Sequence, residues 1–281
     1  MTTIIDGKTI SEKIIEELKR ETEKLSTKPG IAVVIVGENP GSQLYVKRKH
    51  ETAQNLGYHS VKIELPADTS QAVLEAKIDE LNNDNKINAI LVQLPLPKHI
   101  NSQSIIERIK PEKDVDGFHP NNVGKLASGF NPYAIACTPK GVMRLFKEYK
   151  IDVEGKNVVI IGRSNIVGKP LSYLLLNNNA TVTVCHSKTQ YVRDITKTAD
   201  ILISAVGNPR FIKENYVKQG AVVIDVGINR DENNKLCGDV DFENVKNKTS
   251  FITPVPKGVG PMTIAMLMTN TLELFKMQNK K

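Results

Sequence analysis

The sequence predicts an α/β protein of two domains, and three observations carry that prediction. Short apolar, β-branched runs alternate with stretches of helical spacing, as parallel strands joined by crossover helices require. A polar passage rich in Gly and Pro, residues 113–141, interrupts the alternation, and a second series starts beyond it. The length, 281 residues, is also long for one core.

In the first series IAVVIV (31–36), HSVKIEL (59–65) and NAILVQL (88–94) read as strands. Residues 42–56, 70–84 and 101–109 have helical spacing, and Ser42 is the expected cap of the first helix. The passage KDVDGFHPNNVGKLASGFNP (113–132) to TPKG (138–141) reads as a loop region, between domains or lining a cleft. A helix over about 140–150 opens the second series. Its strands are NVVIIG (157–162), TVTVC (181–185), DILISAV (200–206), AVVIDVG (221–227) and a short FIT (251–253). The segment PMTIAMLMTNTLELFKMQN (261–279) is a long helix, apolar along its length, and most of it reads as packing.

Composition removes several function classes. The N-terminus, MTTIIDGKTISEKI, lacks a basic start followed by an apolar run, so a cytoplasmic location is expected. The densest apolar stretch, INAILVQLPLP (87–97), is too short to span a bilayer. Cys137, Cys185 and Cys237 form no CxxC pair and the histidines no HxxxH pattern, so no metal is expected. The net charge of +7 is spread among acids, and aromatics make up 5% of the chain. That pattern lacks the basic, aromatic-lined groove of a nucleic-acid binder, and small anionic ligands account for the charge equally well.

In the second series a strand runs into GRSNIVGKPLSYLLL (162–176). Gly162 permits the sharp turn, and Gly168 lets the helix start lie close with its amides aimed at an anion. Ser164 stands where the usual dinucleotide fingerprint has its second glycine. An NAD site expects an acid about twenty positions on, but TVTVCHSKT (181–189) offers His186, Ser187 and Lys188. Alone, HSKT is equally well a polar strand exit. With Arg163 it makes a pocket for an extra phosphate, which favours NADP over NAD. Gly227 and Ile228, after the strand AVVIDVG, fall on the same ligand-bearing edge.

In the first series Tyr45 and Lys49, four apart, share one helical face, while Lys47 and Arg48 point elsewhere. Leu44, Ala53 and Leu56 supply apolar positions that this face borders. On pattern alone a solvated lysine is the simpler account. Gln93 is the one polar residue near the end of an apolar strand, so its amide is satisfied by backbone or aimed at a ligand. Asp114 and Asp116 lie in a turn, where capping is the ordinary role.

Tyr45-Val46-Lys47-Arg48-Lys49, Gln93-Leu94-Pro95-Leu96-Pro97, Lys113-Asp114-Val115-Asp116-Gly117, Cys137-Thr138-Pro139-Lys140-Gly141, Gly162-Arg163-Ser164 through Val167-Gly168, and Gly258-Val259-Gly260-Pro261-Met262-Thr263 occur in order. Together they resemble, over essentially the whole chain, the bifunctional methylenetetrahydrofolate dehydrogenase/methenyltetrahydrofolate cyclohydrolase family. The resemblance implies two α/β domains flanking a cleft, the second a Rossmann-like NADP-binding domain, in a homodimer. It places a discontinuous folate-binding domain over 1–138 plus 261–281 and the NADP domain over 139–260. It implies that Lys49 is the catalytic lysine, that Tyr45 lies against the folate ring system, that Gln93 supports the lysine and that Asp116 binds the pterin. Gly258, Gly260, Pro261 and Thr263 complete the folate side, and Gly162, Arg163, Ser164, Ser187 and Ile228 contact NADP. Tetrahydrofolate derivatives, polyglutamylated or not, are the implied substrates.

One position departs from the family. Lys257 stands where the family usually has glycine, so either its φ is negative or strain is tolerated. A lysine there would also attract an acidic substrate tail. The other enzymes that fit the residues are a dehydrogenase of this fold without the hydrolytic step and a hydroxyacid or shikimate-type dehydrogenase. The last does not account for QLPLP or GVGPMT. A non-catalytic folate- or nucleotide-binding module is weighed against by Tyr45, Lys49, Gln93 and Asp116 together.

Overall fold

A computed structural model describes residues 1–280. In chain order the elements are β1 (Thr3–Ile4), α1 (Gly7–Glu23), β2 (Gly30–Val36), α2 (Pro40–Asn55), β3 (His59–Leu65), α3 (Gln71–Asn83), β4 (Ala89–Val92), α4 (Ser102–Arg108), α5 (Pro120–Ala127) and α6 (Cys137–Glu148). There follow β5 (Asn157–Ile161), α7 (Gly168–Asn177), β6 (Thr181–Cys185), α8 (Val192–Thr196), β7 (Ile201–Ser204), β8 (Val222–Asp225), β9 (Asn229–Arg230), β10 (Leu236–Cys237), α9 (Phe242–Val245), β11 (Phe251–Ile252) and α10 (Val259–Gln278). Two compact units result: Lys13–Ala136 with the chain from Met266 on, and Met1–Glu12 with Cys137–Ala265.

The Lys13–Ala136 unit is built on a parallel sheet of order β3-β2-β4. Every residue of the central strand GIAVVIV is buried, as expected of a parallel strand covered on both faces. Ala32, Val34 and Val36 pack with Leu74 and Ile78 of α3, Ile90 and Val92 of β4, and Ile105 of α4. The segment after α4 returns alongside β4, where the Ile90 amide donates to Lys113 O at 2.7 Å and Ile90 bridges Asp114 in parallel. From α10, buried Asn270 donates to Val115 O at 2.8 Å and Ile135 O at 2.9 Å, and Tyr58 donates its hydroxyl proton to Met268 O.

Several details correct the sequence reading. Helix α2 starts at Pro40, whose fixed φ suits the first turn, so Asn39 rather than Ser42 is its cap: Asn39 Oδ1 accepts from Ser42 N at 3.0 Å. Leu44 is half exposed, and Val46 is the buried apolar residue of that turn. The expected loop over 113–132 contains α5, capped by the His119 ring, which accepts from Asn121 N. Pro120 at its start was the signal; Gly124 and the few apolar residues obscured it. Helix α1 also lay outside the reading, although Ile14 and Leu18 mark its buried side.

The other unit holds a six-stranded sheet of order β1-β11-β8-β7-β5-β6, and every pairing in it is parallel. The chain leaves β5 to one side to form β6, then returns past β5 to form β7 on the other. That reversal makes the carboxyl ends of β5 and β7 the topological switch point, where open α/β sheets hold their ligands. Beneath it Val159, Ile161, Leu202, Val223 and Ile252 form the core. Residues 1–12 pack with this unit. Thr3–Ile4 pairs with Phe251–Ile252, and a two-residue edge strand carries no alternation to read. The boundaries at 136/137 and 265/266 likewise differ from the expected 138/139 and 260/261.

Candidate active site

The Lys13–Ala136 unit positions the candidate catalytic groups from its sheet outward. Gln93 follows β4 directly, and its backbone amide donates to Val34 O at 2.8 Å, which fixes it beside the central strand. Its side-chain Nε2 donates to Leu94 O at 2.7 Å. That contact turns the other end of the amide, Oε1, towards α2, where it accepts from Lys49 Nζ at 3.0 Å. An amide with its nitrogen committed to backbone offers one oriented acceptor. Lys49 is half-buried, and Tyr45, one turn earlier on the same face, is 41% exposed. Lys47 and Arg48 are exposed, and Lys47 lies 3.8 Å from Glu51, an ordinary solvated helix pair.

The two aspartates of the 113–117 turn divide by burial. Asp114 is 2% exposed, and its Oδ2 accepts from His119 N at 2.8 Å and from Asn122 Nδ2 at 2.9 Å. Burial pushes its carboxyl up, while those two donors hold it down. It therefore builds the turn. Asp116 is half-buried on that turn, between Val115, whose carbonyl Asn270 holds, and Gly117. The sequence reading singled out Asp116 and left Asn270 among packing residues. The signal for Asn270 was an amide set among the apolar residues of the middle of α10.

In the Cys137–Ala265 unit the switch point is lined as a dinucleotide cradle. Gly162 has φ +122°, and a Cβ there would lie 2.4 Å from Ala205 O, the first residue after β7. A Cβ on Gly168 would lie 2.2 Å from Gly162 O. Both positions need glycine, because contacts this short are forbidden to a side chain. These close backbone contacts set the tight turn from β5 into the start of α7. Ser164 takes part in the helix start: its Oγ accepts from Val167 N at 3.2 Å and Gly168 N at 3.4 Å. Arg163 and Ser187 are exposed, and the residues after β6 include no acid. Ile228 is half exposed, with its Cδ1 3.7 Å from where a Cβ on Gly260 would stand. These residues fit a nicotinamide dinucleotide carrying an additional phosphate.

Gly258 is buried against Pro254 O, and Thr263 shares a 3.2 Å hydroxyl contact with Thr138. Lys257 settles the question its sequence posed. Its φ is +81°, so the left-handed conformation is tolerated with a side chain present, and the residue is exposed. The structure thus brings Lys49 to Gln93 and Gly260 to Ile228. Lys49, Tyr45, Gln93 and Asp116 fall in one unit, and the loop 258–263 and the nucleotide residues in the other. Among the described residues no three His, Cys, Asp or Glu side chains form a metal site, and no helix is long and apolar enough to cross a membrane.

Both family models and the curated relatives agree on the family. Residues 5–116 match the model of the tetrahydrofolate dehydrogenase/cyclohydrolase catalytic domain, and residues 136–279 that of its NAD(P)-binding domain. The chain is 58% identical over 281 residues to the bifunctional protein FolD of Campylobacter hominis, covering 99% of each. It superposes on the crystal structure of the bifunctional FolD dehydrogenase/cyclohydrolase from Campylobacter jejuni with a TM-score of 0.97 at 50% identity, over 99% of this chain and 100% of that one. The Trypanosoma brucei FolD, solved with NADP cofactor and an inhibitor, gives 0.95 at 39% identity over 100% of this chain and 99% of that one. The chain belongs to the tetrahydrofolate dehydrogenase/cyclohydrolase family, the FolD enzymes.

Proposed function

We propose that Lys49, held by Gln93, is the proton-transfer group of a bifunctional enzyme that oxidises 5,10-methylenetetrahydrofolate with NADP+ and hydrolyses the product to 10-formyltetrahydrofolate. The observation that carries this reading is the 3.0 Å contact from Lys49 Nζ to Gln93 Oε1, on an amide whose nitrogen is already committed. NADP+, when bound, accepts a hydride from the one-carbon bridge. Gly162, Arg163, Ser164, Ser187 and Ile228 are the residues that would hold it, with Arg163 and Ser187 on the extra phosphate.

Loss of hydride leaves the bridge as a methenyl cation shared by N5 and N10. Water attacks that carbon, and one proton must leave the water as the C–O bond forms. The lysine amine takes it through its lone pair, which an ammonium lacks. The C–N5 bond then breaks, N5 receives a proton from the lysine, the hydroxyl proton goes to solvent, and the carbon is left as a formyl group on N10. Asp116 accepts hydrogen bonds from pterin N–H groups and fixes the ring, and Tyr45 lies against it.

We place the enzyme in the cytoplasm, and the family resemblance makes it a homodimer. The same reading gives exposed Lys257 the acidic tail of a polyglutamylated folate as its partner, in keeping with a net charge of +7. The deciding assay follows methylenetetrahydrofolate turnover with NADP+ and, separately, methenyl hydrolysis with no nucleotide present. Hydride transfer without hydrolysis would leave a monofunctional dehydrogenase instead.

A further inference from the structure

Below the exposed loops at the nucleotide edge lie two buried acids that the reaction does not use. Asp239 is 0% exposed, and its carboxylate collects four donors. Oδ2 accepts from Ser204 Oγ at 3.1 Å and Val206 N at 2.8 Å, and Oδ1 accepts from Asn208 N and Asn229 Nδ2, both at 2.9 Å. Those donors come from the end of β7, the loop after it and the segment after β8. Asp225, the last residue of β8, is 3% exposed. Its Oδ1 accepts from Gly227 N at 3.0 Å and Asp239 N at 2.9 Å, and Oδ2 from Val240 N at 2.9 Å. Thr253 Oγ1 accepts from the Asp225 amide at 2.7 Å.

The acids interlock through two glycines. A Cβ on Gly227 would stand 2.2 Å from the Asp239 carboxyl, and one on Gly238 would stand 1.9 Å from Asp225 Oδ2. Each carboxylate fills the space that a side chain on the other's loop would need. Every one of these donors is a neutral N–H or O–H group. Burial pushes the Asp225 carboxyl up to about 7, with the charge of Asp239 adding to the rise, although the amides of Val240, Asp239 and Gly227 hold it down. Burying two acids without a cation is a costly way to gain stability. What it secures is backbone geometry: the loop 205–208 and the segment 226–229 are tied to one anchor. Exposed Gly207, Asn208 and Ile228 sit directly above it.

We propose that Asp239, locked by Asp225, is a positioning residue for the nucleotide: it fixes the loops after β7 and β8 against each other at the height NADP+ requires. The inference rests on NADP+ binding at this edge. The test is Asp239→Asn, which keeps the shape but replaces one acceptor oxygen by a donor, measured by isothermal titration with NADP+ alongside nucleotide-free methenyl hydrolysis. The NADP+ Kd rises about tenfold or more, the cost of roughly one lost charged hydrogen bond, while hydrolysis holds. An unchanged Kd overturns the proposal, and so does a parallel loss of hydrolysis, which would mean a general folding role. If the variant does not fold, Asn229→Ala removes only the side-chain donor and raises Kd by about threefold under the same criteria. Failure of the unaltered enzyme to bind NADP+ at all would refute the nucleotide reading rather than this one.

Discussion

Replacing Gln93 by leucine removes the partner of Lys49 while conserving volume beside β4, and it separates support from chemistry. The lost contact is a 3.0 Å hydrogen bond to an amine that is half-buried. Such a bond between the neutral amine that the proton transfer uses and a neutral amide is worth about 1 kcal/mol. One kilocalorie lowers the population of correctly placed amine roughly fivefold. The remaining amine acts from displaced positions, and a displacement of about 1 Å can cost about a hundredfold in rate. The nucleotide-free hydrolysis kcat is therefore expected to fall by about 10- to 100-fold, with KM little changed. The dehydrogenase kcat moves far less, because no proton is transferred in that step. Following methenyl absorbance loss and NADPH formation on the same preparation gives both rates. A hydrolysis kcat equal to that of the unaltered enzyme would refute the role given to Gln93, and equal losses in both rates would point to misfolding.

Three further outcomes follow from individual residues. Asp116→Asn raises the folate Kd by about 10-fold, since an amide presents a donor where the pterin also donates; equilibrium binding of the folate checks it. Arg163→Ala weakens NADP+ far more than NAD+, by about 1.5–3 kcal/mol against little change, and equal losses in paired titrations would remove phosphate recognition from Arg163. Lys257→Gly relieves a left-handed residue but frees the unfolded chain, so thermal stability changes by no more than about 1 kcal/mol. Affinity for polyglutamylated substrate falls in that variant while monoglutamate binding holds; identical behaviour with both substrates would end the acidic-tail role.

The architecture was legible where periodicity and glycine chemistry agree. The strands read in both series were placed within two residues: β2, β4, β7 and β8 are buried throughout and read as continuous apolar runs, while the edge strands β3 and β6 show as β-branched alternation. Gly162 and Gly168 announced the turn from β5 into α7, and the structure supplies the reason in the approach of Ala205 O and Gly162 O. What stayed hidden was tertiary. Helical spacing made Tyr45 and Lys49 neighbours, yet nothing local distinguished Lys49 from a solvated lysine until Gln93 met it from 44 residues away. The pairing of Thr3–Ile4 with β11 joins the two ends of the chain's order and leaves no pattern in either segment. Asp225, Asp239 and Asn270 were equally opaque, since a buried acid or amide is recognisable from the donors and carbonyls that surround it, and these come from distant elements.

The central claim is that one lysine serves the hydrolytic step and is dispensable for hydride transfer. Lys49→Met tests it most directly, because methionine replaces the aliphatic stem of the lysine and removes the amine. The measurement is the ratio of nucleotide-free methenyl hydrolysis to NADP-dependent methylene oxidation in that variant. Loss of a general acid–base group predicts hydrolysis reduced by about 10²- to 10⁴-fold with oxidation largely retained. Hydrolysis persisting near the level of the unaltered enzyme would contradict the account.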